Sequence, residues 1–293
     1  SKIGCRGSDK HAHLKMVVAV GVVMGIHALY TIIVGGVRVT WHIALTYLPV
    51  SLLYIVSMAL GYVGLRYIEL SISSPICNSS GALVAVLCIL TGTLDEGIQG
   101  GMRAAVIGAV ALVCIGVIGL GVVESREDDE LRRARQEASN YKYAKSWLAL
   151  ALPIAYCLLD AAGTFSDNLV LKKIALLTEN YEASANVAYE LTFLIAGALC
   201  FIYVVLIRRD KLVAKMEAPK YAGAVFETAG QFAYIYAIAD TAHLAMSAPI
   251  ISAYCAASVL WSRIFLKEKL SLKHYIAIAL VVAGIVIMGV FDV

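Results

Sequence analysis

Charged side chains are scarce in this sequence: Asp, Glu, Lys and Arg make up 15% of its 293 residues, and the formal net charge is only +3. Charges so few and scattered give no phosphate-binding surface, and no basic stretch interleaves with aromatics to stack on bases. No nucleic-acid partner is therefore expected. The seven cysteines include no C-x-x-C pair, and Cys77, Cys88, Cys114, Cys157, Cys200 and Cys255 lie in apolar segments, as small hydrophobes do. This argues against a disulfide framework and a zinc site. A G-x-x-x-x-G-K-[ST] phosphate cradle is missing, which argues against an in-chain ATPase. H-E-x-x-H and G-x-S-x-G are missing too, and His11 and His13 stand in a polar tail rather than on a helix. No enzymatic activity, cofactor or metal is expected.

What is abundant is apolar sequence: 60% of residues are hydrophobic, with a mean hydropathy of +0.80. The charges are pushed into short intervals between apolar runs, the pattern of a polytopic membrane protein. A hydrocarbon core of about 30 Å needs roughly 20 helical residues. Nine stretches meet that length, near 16–37, 43–65, 70–90, 104–123, 147–165, 188–207, 221–239, 244–262 and 275–291. All are expected to be helices, since an open sheet edge leaves backbone groups unsatisfied in lipid. Trp41, Trp147 and Trp261 fall near segment ends, where indoles favour the interface. None of the nine reads as a cleavable signal peptide.

The interval 124–146 is the one long polar stretch. Its Asp128/Arg132 and Asp129/Arg133 pairs have the i,i+4 spacing of a solvated helix. It reads as a charged cytoplasmic linker between an N-terminal half, 1–123, and a C-terminal half, 147–293. The halves share a weak repeat. Ser73-Ser74-Pro75-Ile76 opens the third segment and Ser247-Ala248-Pro249-Ile250 the eighth. An acidic joint follows each (Asp95-Glu96 and Glu268), then a Gly-rich helix carrying Gly108, Gly116 and Gly119 or Gly284 and Gly289. Internal symmetry between two multi-helix halves is characteristic of transporter folds, whose sites lie at the repeat interface near mid-membrane. With the N-terminal tail inside, 20 of the 24 Lys and Arg residues face the cytoplasm. Nine spans then place the C-terminus outside and the two acidic joints on opposite sides, as an inverted repeat requires.

These residues resemble a family. The two Ser-x-Pro-Ile openings, the run from Ala253 to Lys269 ending in Phe265-Leu266-Lys267-Glu268-Lys269-Leu270, and the closing Gly-rich helix look like the EamA-type branch of the drug/metabolite transporter superfamily. The resemblance implies an all-α fold of two inverted five-helix repeats around a central cavity. Of the ten helices expected, the chain supplies helices two to ten in family order and lacks the first. Members usually carry both termini in the cytoplasm, against the charge count here.

An ionisable side chain at bilayer depth costs roughly 2.5–3.5 kcal/mol even on lenient insertion scales, so it usually lines a cavity or pathway. The candidates begin with Asp160, some 13 residues into its segment and followed by Ala161, Ala162, Gly163 and Thr164, small residues that allow close helix approach. It is read as binding a cation, a proton or a substrate amine; the alternative is a protonated Asp hydrogen-bonded to a neighbouring helix. Glu227 and Gln231 form a polar stripe one turn apart, for substrate contact or for tying helices together. Glu190 stands close to the expected start of its helix, where it is either interfacial or on the pathway. His27, in a helix centre, suits a proton relay, or else a neutral ring bonded to a backbone carbonyl. Asn78 among the serines around Pro75, and Ser252 and Tyr254 around Pro249, present polar groups where proline loosens the helix ladder; the alternative is a mere kink.

No intramembrane Lys or Arg balances these acids, so the favoured partner is a cationic or zwitterionic small molecule, with protons as coupling ion. The expected function is a secondary active or facilitative permease in the cytoplasmic membrane, working by alternating access. The alternative is a non-transporting sensor or scaffold of the same fold.

Overall fold

Apolar runs of this length bury their backbone polar groups by coiling on themselves, and the computed structural model is helical accordingly. It describes residues 9–68, 70–92, 101–125, 146–239, 254–265 and 270–290, together with Cys5 and Ile251. In chain order these hold α1 (Ala12–Ile33), α2 (Trp41–Gly64), α3 (Leu70–Cys77), α4 (Ser80–Thr91), α5 (Gly101–Ser125) and α6 (Ser146–Ala175). They continue with α7 (Tyr181–Phe201), which runs on as a π-helical turn over Ile202–Ile207, then α8 (Ala214–Ala239), α9 (Tyr254–Phe265) and α10 (Leu272–Val290). Helices such as α1, α2 and α7 with its π turn are long and apolar enough to cross a membrane, as are α3 and α4 taken together. Large apolar side chains such as Ile33, Ile195 and Leu199 are more than half exposed, while Asp167 and Glu190 are 0% exposed. That inversion suits lipid as the outer solvent, and the chain is an all-α, multi-pass membrane protein.

Three segment boundaries differ from expectation. α6 extends ten residues past the predicted end at 165, α7 starts seven residues before 188, and α8 starts seven before 221. In each case polar residues that read as a helix end are paired inside the protein. Asn168 Nδ2, for example, bonds the Ile238 carbonyl at 3.3 Å, and Lys220 Nζ lies 3.1 Å from Glu217. The residues 126–145 of the linker, Asp95-Glu96, the second Ser-x-Pro-Ile opening at 247–250, Ser252 and Glu268 lie outside the described residues.

The helices form two compact units, residues 1–63 with 163–241 and residues 64–162 with 242–293. In the first, α1 packs against α7 and α8. Glycine sets the α1–α7 crossing: a β-carbon on Gly21 would stand 2.7 Å from the Phe193 carbonyl oxygen, and one on Gly197 would stand 3.1 Å from Gly21 Cα. In the second, α5 packs against α10 and α3 against α9. Gly116 of α5 and Gly284 of α10 fit against each other's helix, over a core of Ala109, Val113, Val281 and Ile285. Such small-residue contacts let helices approach where lipid supplies no hydrophobic drive.

A buried ionic group closes one end of the first unit. Lys15 Nζ lies 2.9 Å from Asp9, 4.0 Å from Asp210 and 3.9 Å from Glu217, and His11 Nδ1 lies 2.6 Å from Asp210. Burial acts to raise the Asp9 carboxyl. The Lys15 hydrogen bond, the His11 backbone N–H and the charges of Lys15 and Lys220 outweigh it and hold Asp9 below its usual range. The folded protein thus binds this proton less readily than the unfolded chain. The stabilisation is complete above the ordinary carboxylate pKa and is lost as pH falls through the folded one. Thermal melting from about pH 5 downward is expected to show Asp9→Asn losing stability less steeply than wild type. Parallel curves would mean that the pairing contributes nothing.

Candidate functional site

Five helices of the first unit bring polar groups into its interior. On α2, Tyr47, Tyr54 and Tyr62 recur at seven and eight residues, two helical turns, and so share one face; they are 0%, 4% and 5% exposed. On α8, Glu227, Gln231 and Tyr234 share a face by the same periodicity. α6 supplies Thr164 and, one turn on, Asp167, which are 1% and 0% exposed. α7 supplies Asn186, Tyr189 and Glu190, and α1 supplies His27.

The Tyr54 hydroxyl donates to Asp167 Oδ2 at 3.2 Å. It lies 3.3 Å from Thr164 Oγ1 and 3.5 Å from the Tyr234 hydroxyl. Thr164 Oγ1 and the Tyr234 hydroxyl are 2.6 Å apart. Gly163 makes room for this arrangement, since a β-carbon there would meet the Tyr54 ring at 3.1 Å. Tyr54 stands edge-on to Tyr189 and Tyr234, with centroids 6.0 and 6.2 Å away. Tyr189 in turn donates to Met58 Sδ at 3.1 Å. Tyr47 faces the same carboxyl. Among the described residues, its hydroxyl and Asp167 Oδ1 are both buried without a hydrogen bond.

A second grouping surrounds Glu190. His27 Nδ1 lies 2.7 Å from Glu190 Oε1, and Asn186 Nδ2 donates to the same oxygen at 3.0 Å. Phe232 stands edge-on to the His27 ring at 5.4 Å. Glu190 is therefore buried inside the unit against the His27 ring, ten positions after Asn180 at the helix entrance. Glu227 accepts a hydrogen bond from Tyr62. Gln231 Nε2 is buried with no hydrogen bond among the described residues.

Asp160 and Asn78 belong to the second unit. Ser80 Oγ donates to Asp160 Oδ2 at 2.7 Å. Asn78 turns back on its own chain, its Nδ2 donating to the Ser74 carbonyl at 2.8 Å, and Ser79 Oγ does the same to the Pro75 carbonyl at 2.7 Å. The Ser74 carbonyl also accepts the Asn78 backbone N–H at 2.9 Å, whereas the Ser79 N–H turns to the Ile76 carbonyl and leaves the Pro75 carbonyl to its hydroxyl, where α3 stops and α4 begins. Tyr254 is the first residue of α9. Among the described residues, no Lys or Arg pairs with Asp160 or Asp167.

The first unit thus unites His27 with Glu190, and Thr164 with the tyrosines and Asp167. Asp167, Tyr54 and Tyr234 were not among the sequence candidates. Their signals were present as periodicity, in tyrosines two turns apart along an apolar helix and an Asp one turn beyond Thr164. A helix boundary drawn at 165 hid the second.

Comparison with curated proteins gives no match. Residues 173–290, which carry Glu190, Glu227 and Gln231, match the model of the EamA-like transporter family, so the likeness to EamA-type permeases of the drug/metabolite transporter superfamily holds over that stretch.

Proposed function

We propose that this protein is a secondary permease of the cytoplasmic membrane, carrying a small organic cation or zwitterion by alternating access coupled to protons. The observation that carries the reading is the interior of the first unit, where Asp167 and Glu190 are fully buried among tyrosines and a single histidine. Carboxylates of this kind favour an ammonium group or a proton over an anion, and aromatic faces add attraction for a cation. Within the first unit the substrate pathway is assigned to His27, Thr164, Glu190, Glu227 and Gln231; the second unit's own candidates are Asp160, Ser252 and Tyr254, while Asn78 is spent on its own backbone.

The domain reading of two repeats, 1–123 and 147–293 joined by the linker 124–146, is supported by helix partnership. α1 pairs with α7, and α5 with α10. These are the first and fourth predicted spans of one half beside the second and fifth of the other. In the family order that the resemblance implies, each pair holds helices of equal rank in the two halves, as two repeats of one ancestor would.

Solid-supported-membrane electrophysiology on proteoliposomes tests the function, with pooled amino acids, amines and nucleobases as challenges. A substrate-dependent current from one pool, reduced at least tenfold in Glu190→Gln and in Asp160→Asn, is the expected result, a loss on the order of 1.4 kcal/mol. Binding of a pool compound without current or radiolabel uptake would replace the permease with a sensor or scaffold. Transport unchanged in Asp160→Asn, Glu190→Gln and Glu227→Gln would end the assignment of these acids to coupling.

A further inference from the structure

We infer that Asp167 is the residue on which the coupling proton rides, and that the hydroxyls of Tyr234, Thr164 and Tyr54 deliver it. The inference deepens the proton-coupled reading above and rests on it, naming which of the buried acids carries the proton and by what route it arrives.

The geometry has three parts. The first is a destination. Asp167 is 0% exposed, and the groups facing it are hydroxyls: Tyr47 and Tyr54 from α2, and Tyr234 from α8 with Tyr189 from α7 behind them. None of these carries a positive charge, and no Lys or Arg among the described residues pairs with it. Lys172 and Lys173 on its own helix are exposed. A buried carboxylate with no cation beside it is held most cheaply in the neutral form, with a proton as its partner. Oδ1 has no hydrogen bond among the described residues, and the buried Tyr47 hydroxyl is in the same condition. A carboxyl protonated on Oδ2 still offers Oδ1 as an acceptor to the Tyr47 hydroxyl that faces it.

The second part is a route. Tyr234 is only half-buried, while Thr164 and Tyr54 are buried. The oxygens follow one another from Tyr234 to Thr164 at 2.6 Å, from Thr164 to Tyr54 at 3.3 Å, and from Tyr54 to Asp167 Oδ2 at 3.2 Å. Hydroxyls both donate and accept, so they pass protons along a chain without ionising lastingly.

The third part is the balance. A proton accepted by the Tyr234 oxygen is matched by release of its hydroxyl proton to Thr164 Oγ1. Thr164 passes its own to Tyr54, and Tyr54 passes its own to Asp167 Oδ2. All three hydroxyls are restored, and one carboxylate has become a neutral carboxyl. Reversal returns the proton. The other acids are differently placed: Glu190 has the His27 ring beside it, and Asp160 accepts from Ser80.

Infrared difference spectroscopy of the full chain in lipid, titrated by pH, reads the carboxyl directly and needs no substrate. A protonated-carboxyl carbonyl band that titrates in wild type is expected to vanish in Asp167→Asn and to return, shifted, in Asp167→Glu, which also shows that the fold tolerates change there. In Tyr234→Phe and Tyr54→Phe the band should persist while its deuterium exchange slows by roughly a hundredfold, the lower end of what a positioned proton-transfer group contributes. A titrating band that survives Asp167→Asn overturns the proposal. Unchanged exchange in both Phe variants overturns the relay. Displacement of the band by sodium at constant pH makes this a metal-cation site and overturns the proton assignment. An intact Asp167 band beside silence from every pool in the flux assay would count against the permease and leave the proton site standing.

Discussion

His27→Ala is expected to destabilise the protein by about 3 kcal/mol, the lower edge of what is lost when one partner of a buried ion pair is removed. The lower edge applies because the two partners are unequally buried. The Glu190 side chain is 0% exposed, whereas that of His27 is 31% exposed. Truncating the histidine leaves Glu190 with Asn186 alone on Oε1 and nothing among the described residues on Oε2. Glu190→Gln keeps the shape and can still accept from Asn186, so its cost should stay near 1 kcal/mol. The double variant His27→Ala with Glu190→Gln should be milder than His27→Ala alone, because the uncompensated charge is gone. Unfolding free energies in detergent decide this. A double variant as unstable as the sum of its parts would show that the pair is not coupled.

The second large effect concerns the α5–α10 crossing. Gly116→Ala and Gly284→Ala are each expected to cost about 1–3 kcal/mol, the range of overpacking in a close-packed interior. The added β-carbons would fall 2.5 Å from Val281 Cγ2 and 2.6 Å from the Ala109 carbonyl oxygen. Backbone also stands close at Gly116, where the Ala277 carbonyl oxygen is 2.8 Å away. A side chain can rotate aside, but a carbonyl within a helix moves only if the helix does. Gly108 lies on the same helix as Gly116, with nothing within 4 Å of the position a β-carbon would take. Gly108→Ala should therefore be neutral or stabilising by up to about 1 kcal/mol, from helix propensity. Equal losses at 108 and 116 would refute the crossing as described.

The transport reading responds differently to each helix. Polar residues on α2, α6, α7 and α8 are spent on one another in the first unit, and those of α3 largely on their own backbone. Asn78 illustrates the second kind: in sequence it matches any pathway residue, yet its amide closes onto the Ser74 carbonyl and hydroxyl. Glu190 illustrates the first, reaching a histidine 163 positions away.

By itself the sequence determined the solvent, the helical class, the approximate position of each described span and the inward pull of its few acids. These follow from hydrophobicity and backbone satisfaction, which accumulate residue by residue along the chain and need no knowledge of neighbours. It also held the periodicities of Tyr47, Tyr54 and Tyr62, and of Thr164 and Asp167. Only the tertiary structure decided which polar groups meet: Tyr54 with Asp167 across 113 positions, and Tyr62 with Glu227 across 165. It also moved the end of α6 from 165 to 175. A polar side chain ends a helix when water is its partner and continues it when another helix is. Which of the two holds is a property of the packed molecule, set by helices that are remote in the chain.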